Sequence, residues 1–171
     1  MDGDDRVRPS DIFVMSMLIT LLQWLEHTFL ADAIHETRWA MPIFLTFHAL
    51  GITLLIGTVI VVSLRLLGFI MTNRPVAEVA DQVRKWSIVG LGTMLISGML
   101  LFIPEPLRWY HSSSFWMKMS FLSLAMIFHF TIYRRVTRQE NPSIALSRLC
   151  GVAALLLWYA VAVGGRALTI E

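Results

Sequence analysis

The sequence predicts an all-α integral membrane protein, a single helix bundle that is surrounded by lipid over most of its surface. Hydrophobic residues make up 56% of the 171-residue chain and charged residues only 15%, whereas a soluble domain is about 45–50% apolar and about a quarter charged. The apolar residues also form long uninterrupted runs instead of an amphipathic pattern. Short polar segments separate these runs, so consecutive helices should pack antiparallel in one transmembrane domain covering residues 1–171.

Four apolar runs are long enough to cross a bilayer. A helix needs about 20 mostly apolar residues to span a hydrocarbon core of about 30 Å. The predicted spans are residues 41–64, 86–103, 115–133 and 149–165. The second span carries small residues that favour close contact with another helix. These are Gly90, Gly92, Thr93, Ser97 and Gly98.

A fifth apolar segment, residues 12–31, follows an N-terminal tail of residues 1–11 and has two interpretations. Its polar residues recur every three or four positions and so share one face of a helix. They are Ser16, Thr20, Gln23 and His27. A spanning helix would turn this face toward the bundle interior, whereas an interfacial helix would turn it toward water. Because twenty residues match the bilayer thickness, we favour a spanning first helix.

Basic residues are concentrated in two of the predicted loops, 65–85 and 134–148. Cytoplasmic loops of membrane proteins carry an excess of Lys and Arg. Both loops are therefore predicted to be cytoplasmic, and the C-terminus is predicted to lie on the periplasmic side.

Composition and motifs exclude several function classes. The formal net charge is only +2 and the basic residues form no patch, so nucleic acid is not an expected partner. A single cysteine, Cys150, excludes an internal disulfide, a Cys-rich zinc site, an iron–sulfur cluster and covalent haem attachment. No phosphate-binding glycine loop, zinc-protease motif or nucleophile elbow occurs, so no catalytic residue is predicted. The ten methionines are scattered over several helices, which favours packing over copper handling.

Histidines inside the membrane are the first candidates for a functional site, because polar ionisable groups are costly to bury in lipid. His48 lies in the span 41–64 and His129 in the span 115–133. Two histidines on facing helices can hold a b-type haem in a bundle. At 1.5 Å per residue, His48 and His129 differ in depth by roughly 10 Å, and His27 lies closer to the level of His48. The candidate metal ligands are therefore His48 with His27 or His129, and the alternative for each is a hydrogen bond to a neighbouring helix.

Four cations complete the candidate cofactor site. Arg38, Arg108 and Arg166 are predicted near the same membrane surface as His27, where they could bond haem propionates. Lys118 shares a helical face with His129. The alternative role of Lys118 is to extend its side chain toward the lipid headgroups.

Three stretches within residues 39–168 resemble known proteins. They are Trp39 to Gly51 (WAMPIFLTFHALG) running on to Ser63–Gly68 (SLRLLG), Phe115 to Lys118 (FWMK) with His129, and Leu157-Trp158 followed by Gly165-Arg166. These stretches resemble a group of small bacterial inner-membrane proteins related to the copper-resistance D membrane domain. An early intramembrane histidine, followed by a lysine and a histidine on one later helix, also distantly resembles the HemJ-type protoporphyrinogen oxidase family. That resemblance implies haem b binding through His48 and a site role for Lys118.

These observations predict a haem b protein that transfers electrons between the membrane and a partner on the outer side. Its partners would be membrane lipids together with quinone or a redox protein, and the chain would form part of a larger membrane complex. The alternative is a non-redox accessory or anchoring subunit of such a complex. A further alternative is porphyrin oxidation or copper transport, which would require Lys118 or the methionines.

Overall fold

The computed structural model describes residues 9–139 and 142–167, with side chains described for 12–139 and 142–164. Helices account for nearly all of these residues and no strand occurs among them, which confirms the predicted all-α fold. In chain order they are α1 (Pro9–Glu26), α2 (Phe29–Glu36), α3 (Ala40–Leu67), α4 (Val76–Phe102), α5 (Pro106–His111), α6 (Ser113–Thr137) and α7 (Ile144–Ala167). Residues 1–8 of the predicted tail lie outside the described residues.

Four helices, α3, α4, α6 and α7, are long and apolar enough to cross a membrane, which confirms the four predicted spans. Each helix extends beyond the apolar run that predicted it. The largest difference is in α4, which begins at Val76 instead of residue 86. Charged residues interrupt its first turns, yet Val79 is fully buried there. The predicted loop 65–85 is therefore largely helical, and the connection itself is residues 68–75.

Local signals explain where two of these helices begin or end. α3 ends before Gly68, whose φ of +82° is a conformation that glycine adopts without strain. α6 begins after Ser112, whose hydroxyl oxygen accepts a hydrogen bond from the Phe115 backbone N–H at 3.2 Å.

The predicted first helix, 12–31, is not continuous. α1 ends at Glu26, residues 27 and 28 form a turn, and α2 continues from Phe29 at an angle of 51°. The Thr28 hydroxyl donates to the Leu25 carbonyl at 2.8 Å, and such local bonds compete with helix continuation. The two helices can be one broken span or a re-entrant segment by length and composition. The spanning first helix therefore stays a prediction.

α3 is the central helix of the bundle. It packs along α4 on one side and against α7 on another, and α6 packs against α7. α4 approaches α6 at residues 134–137 in the last turn of α6 and again at the other end, where the Phe102 and Phe115 rings stack at 5.5 Å between centroids. The helices pack in the order α4, α3, α7, α6. We call the end at residues 134–137 the basic end, because the connection 68–75 and the arginines after His129 lie there.

Glycines set how closely α3 and α4 approach. A Cβ at Gly51 would lie 2.7 Å from the Met94 backbone nitrogen, and one at Gly90 would lie 2.8 Å from the Leu55 backbone nitrogen. The two helices thus touch backbone to backbone, as small residues allow in membranes. Gly90 belongs to the predicted small-residue surface, whereas Gly92 of the same surface has no neighbour within 4 Å of such a Cβ.

Candidate functional site

His48 is anchored between α3 and α4 in a way that defines its tautomer. Its Nδ1 lies 3.0 Å from the Met94 carbonyl oxygen and 3.1 Å from Ser97 Oγ. The Ser97 hydroxyl donates its own hydrogen to the Thr93 carbonyl, so it can only accept at the imidazole. We therefore assign the hydrogen to His48 Nδ1, which leaves the free lone pair on Nε2. Metal-binding histidines commonly show this arrangement, with one nitrogen held by a carbonyl and the other free to bind.

Two neighbours define the surroundings of the His48 ring. A Cβ at Gly98 would lie 3.2 Å from His48 Cε1, so the glycine lets the His48 ring lie close against the α4 backbone. Lys118 of α6 is close enough to act electrostatically on His48. The backbone of Lys118 is packed on α7, where a Cβ at Gly164 would lie 3.6 Å from Lys118 Cα. Within the described part of the chain, no hydrogen bond or ion pair neutralises the Lys118 ammonium.

His129 begins an irregular turn of α6. Residues His129–Tyr133 form a π-helical turn, and such turns are rare and frequent at functional sites. The His129 ring stacks on Tyr133 at 5.1 Å between centroids and meets Trp158 edge-on at 6.2 Å. Among the described residues, His129 Nδ1 and Trp158 Nε1 are buried without a hydrogen-bond partner. Buried polar atoms nearly always have partners, so these two unpaired atoms mark the aromatic cluster as a candidate site.

A cleft of about 320 Å³ opens beside His129, between α3, α4 and α6 near the basic end. Its inner walls combine apolar and polar side chains, and its charged lining residues are exposed. The charged lining residues are Asp81, Arg84, Arg134 and Arg138. We call this space the basic cleft.

The structure does not bring the predicted ligands His48 and His129 together. His129 lies eleven residues beyond Lys118 along α6, roughly 16 Å of helix, and it lines the basic cleft together with Thr58, which is ten residues beyond His48 along α3. His27 lies in the turn between α1 and α2 and is exposed. Because α1 packs mainly against α5, His27 is not placed against His48. His129 is not placed there either, because of its distance along α6. The described residues also contain no group of three or more His, Cys, Asp or Glu side chains that could hold a metal ion.

The three arginines predicted to bind propionates have different surroundings. Arg38 is exposed in the turn between α2 and α3. Arg108 is paired with Glu105 at 2.8 Å and lies 5.4 Å from the centre of the Trp109 ring. The side chain of Arg166 lies outside the described residues. Of the four predicted cations, Lys118 is the one whose charge acts on His48.

The arginines of the basic cleft are interpreted from the sequence only as signals of membrane orientation, and the cleft itself is not predicted. One signal is present, because Arg134 and Arg138 are four residues apart and share a helical face. Arg84 joins them only because α4 begins at Val76 and is already helical where it passes α6. Tyr133, whose hydroxyl lies 3.4 Å from Ser63 Oγ, gives no sequence signal beyond its position at a span end.

The chain was compared with family models, curated proteins and solved structures. No curated protein and no solved structure matches it. One family model matches residues 21–171, a region that includes His48, Lys118 and His129. Since this match covers most of the chain, the protein belongs to the DUF6644 family, a family of unknown function.

Proposed function

We propose that this protein binds haem b inside the membrane and transfers single electrons between the membrane and a partner at the end opposite the basic end. The observation that carries the proposal is the orientation of His48. Its Nδ1 is held by the Met94 carbonyl at 3.0 Å, which leaves the Nε2 lone pair free for a ligand bond. The resemblance of His48 and Lys118 to the HemJ-type family supports the same assignment.

The residues around His48 are suited to holding a haem. A neutral imidazole with a free nitrogen is a common haem ligand, and Gly98 lets the His48 ring lie against the α4 backbone. A second ligand from His27 or His129 would require an arrangement of α1 or α6 that differs from the observed one.

The protein's own residues would orient such a cofactor and neutralise its propionate charge. A bound haem b would supply one-electron oxidation and reduction. The Met94 carbonyl fixes the direction of the imidazole and raises its basicity as a ligand. The unpaired Lys118 ammonium can form a charge-assisted hydrogen bond with a propionate carboxylate. Quinone or a redox protein would then be the partner that exchanges the electron.

The His48→Ala variant tests this proposal. We expect the detergent-purified protein to show a sharp reduced α band in the b-haem region, and we expect the variant to lose it because the axial bond is gone. Reduced-minus-oxidised visible spectra measure the band, and circular dichroism verifies that the variant is folded. His111→Ala is the matched control, because His111 is exposed on α5 and bonds only the Leu107 carbonyl of its own helix among the described residues.

Two outcomes would contradict the proposal. A parent protein without Soret absorption and without iron by elemental analysis binds no haem. A band that survives in folded His48→Ala assigns the axial ligand to another residue.

We further propose that the protein lies in the bacterial inner membrane with its basic end in the cytoplasm. The excess of Lys and Arg at that end supports this orientation. Cysteine labelling in intact cells measures it, because the native Cys150 is buried and should not react. We expect His111→Cys to react with a membrane-impermeant maleimide and Thr72→Cys to react only after lysis. The opposite labelling pattern would reverse the orientation.

A second candidate function is a non-redox anchoring subunit of a larger membrane complex. The surroundings of α1 favour it, because none of residues 12–26 is buried and the helix is attached mainly through α2 and α5. This candidate expects a defined partner to co-purify with the protein and assembly to be unchanged in His48→Ala. A protein that purifies alone from mild detergent would argue against it.

A further inference from the structure

We infer that the basic cleft binds an acidic phospholipid, with the phosphate at the arginines and the acyl chains along the apolar walls. The inference does not depend on haem binding, because the cleft lies about 16 Å of helix away from the level of His48 and Lys118. It rests on the charge at the mouth of the cleft, on the apolar lining behind it and on the opening between Ile88 of α4 and Phe130 of α6.

The charge at the mouth is complementary to a phosphate. Arg84 comes from α4, and Arg134 and Arg138 come from the end of α6, so guanidinium groups converge from two helices. The charged lining comprises these three cations and a single acid, Asp81. Guanidinium groups bind phosphate oxygens through paired hydrogen bonds, which makes arginine well suited to this role.

These arginines differ from others at the same end of the bundle. Arg65 donates to the Arg74 carbonyl at 2.6 Å, and Arg74 pairs with Glu78 at 3.2 Å, so both have partners inside the protein. Among the described residues, none of the three arginines of the cleft has such a side-chain partner. Their guanidinium groups therefore remain available for a ligand.

Behind the arginines the cleft has an apolar part suited to hydrocarbon, beside polar lining residues, which are Thr58, Ser87, His129, Tyr133 and Thr137. Val59 and Val62 come from α3, Leu91 from α4 and Phe130 from α6. Leu91 lies seven residues beyond Arg84 along α4, roughly 10 Å deeper. A free phosphate would neutralise the arginines but would leave these walls uncovered, whereas a phospholipid covers both. Ile88 of α4 and Phe130 of α6 also line the cleft and are 60% and 50% exposed, so an acyl chain can enter between them from the bilayer.

Location supports the same occupant. Basic pockets between transmembrane helices on the cytoplasmic side recognise acidic lipid headgroups. The arginines of the cleft follow the apolar part of α6, where a phosphate would lie at the membrane surface and the chains would point inward. A phosphatidylglycerol molecule has this chemistry.

A pair of charge-matched variants tests the inference. The cleft variant combines Arg84→Gln, Arg134→Gln and Arg138→Gln. The control combines Lys85→Gln, Arg135→Gln and Arg148→Gln, which removes the same charge from neighbouring positions that do not line the cleft. Native mass spectrometry and thermal shift in detergent then compare phosphatidylglycerol with phosphatidylcholine of the same chains.

We expect the parent and the control to prefer phosphatidylglycerol. We expect the cleft variant to lose about fivefold in affinity for each arginine, because a basic residue near the headgroups contributes about 1 kcal/mol. An equal loss of phosphatidylglycerol affinity in the control would mean that the basic residues attract the lipid only through diffuse surface charge. That result would overturn the inference. No preference for phosphatidylglycerol in the parent would overturn it as well.

Ala80→Phe tests the mouth of the site without changing charge. Ala80 lines the cleft one turn outward of Arg84, so a phenyl ring there should block the position of the headgroup and lower phosphatidylglycerol binding. Glycerol phosphate and inorganic phosphate are the soluble probes. If either binds the parent as tightly as phosphatidylglycerol does, the ligand is a soluble phosphate and not a lipid. If the triple variant does not fold, judged by circular dichroism, Ala80→Phe decides alone, and undiminished lipid binding in that variant contradicts the inference.

Discussion

Replacing Gly51 or Gly90 with alanine is expected to destabilise the protein, and the same change at Gly57 or Gly92 is expected to be neutral or stabilising. The added Cβ at Gly51 or Gly90 would lie under 3.0 Å from a backbone nitrogen of the facing helix, and backbone cannot rotate out of the way. Overpacking of this kind costs about 1–3 kcal/mol. At Gly57 and Gly92 nothing lies within 4 Å of the new atom. The higher helix propensity of alanine, up to about 1 kcal/mol, should then act alone.

The free energy of unfolding in mixed detergent micelles measures this prediction for all four variants. A second readout links the contact to the site, because forcing α3 from α4 also moves His48 away from the Met94 carbonyl. We therefore expect Gly51→Ala and Gly90→Ala to lower haem occupancy as well as stability. Equal stability changes at all four glycines would show that α3 and α4 do not touch backbone to backbone.

Trp158→Ala is expected to destabilise the protein by up to about 3–5 kcal/mol, the range observed in water-soluble proteins when a large buried aromatic side chain is removed. Trp158 is 2% exposed and packs against the His129 ring. Lipid is as apolar as the protein interior, so the loss comes from the cavity and the missing dispersion contacts and not from transfer to water. Trp86→Ala is the control, because Trp86 is 59% exposed.

Trp158→Phe separates ring packing from the indole nitrogen. Its Nε1 is buried and has no hydrogen-bond partner among the described residues. Replacement by phenylalanine removes that unpaired donor while it keeps an aromatic ring beside His129. We expect the free energy of unfolding to fall much less for Trp158→Phe than for Trp158→Ala. A loss at Trp86→Ala equal to that at Trp158→Ala would contradict the packing that the structure shows.

The transmembrane spans could be predicted from sequence because insertion depends on a local property. A run of about 20 apolar residues presents apolar side chains to the hydrocarbon core, and its helix forms all of its backbone hydrogen bonds internally. Neither property depends on the neighbouring helices. The four spans were therefore recognised, although charged residues obscured the first turns of α4. The break between α1 and α2 was not predicted, since no proline or glycine marks it and Thr28 acts through one local hydrogen bond.

The candidate site was predictable only in part. His48, His129 and Lys118 stood out because ionisable groups are rare in apolar runs. Which of them lie together depends on how the helices are arranged, and no periodicity within one helix contains that information. In the structure the charge of Lys118 acts on His48, whereas His129 lies roughly 16 Å further along α6.

By itself, the sequence determined that this chain is a multi-pass helical membrane protein with few polar groups in its spans, because hydrophobicity and helix length are properties of each segment alone. The tertiary structure decided the rest. It set the tautomer of His48 through the Met94 carbonyl and joined arginines from α4 and α6 at one cleft. These features depend on contacts between helices, which are set by the close approach at Gly51 and Gly90 and by the point where α6 crosses α4.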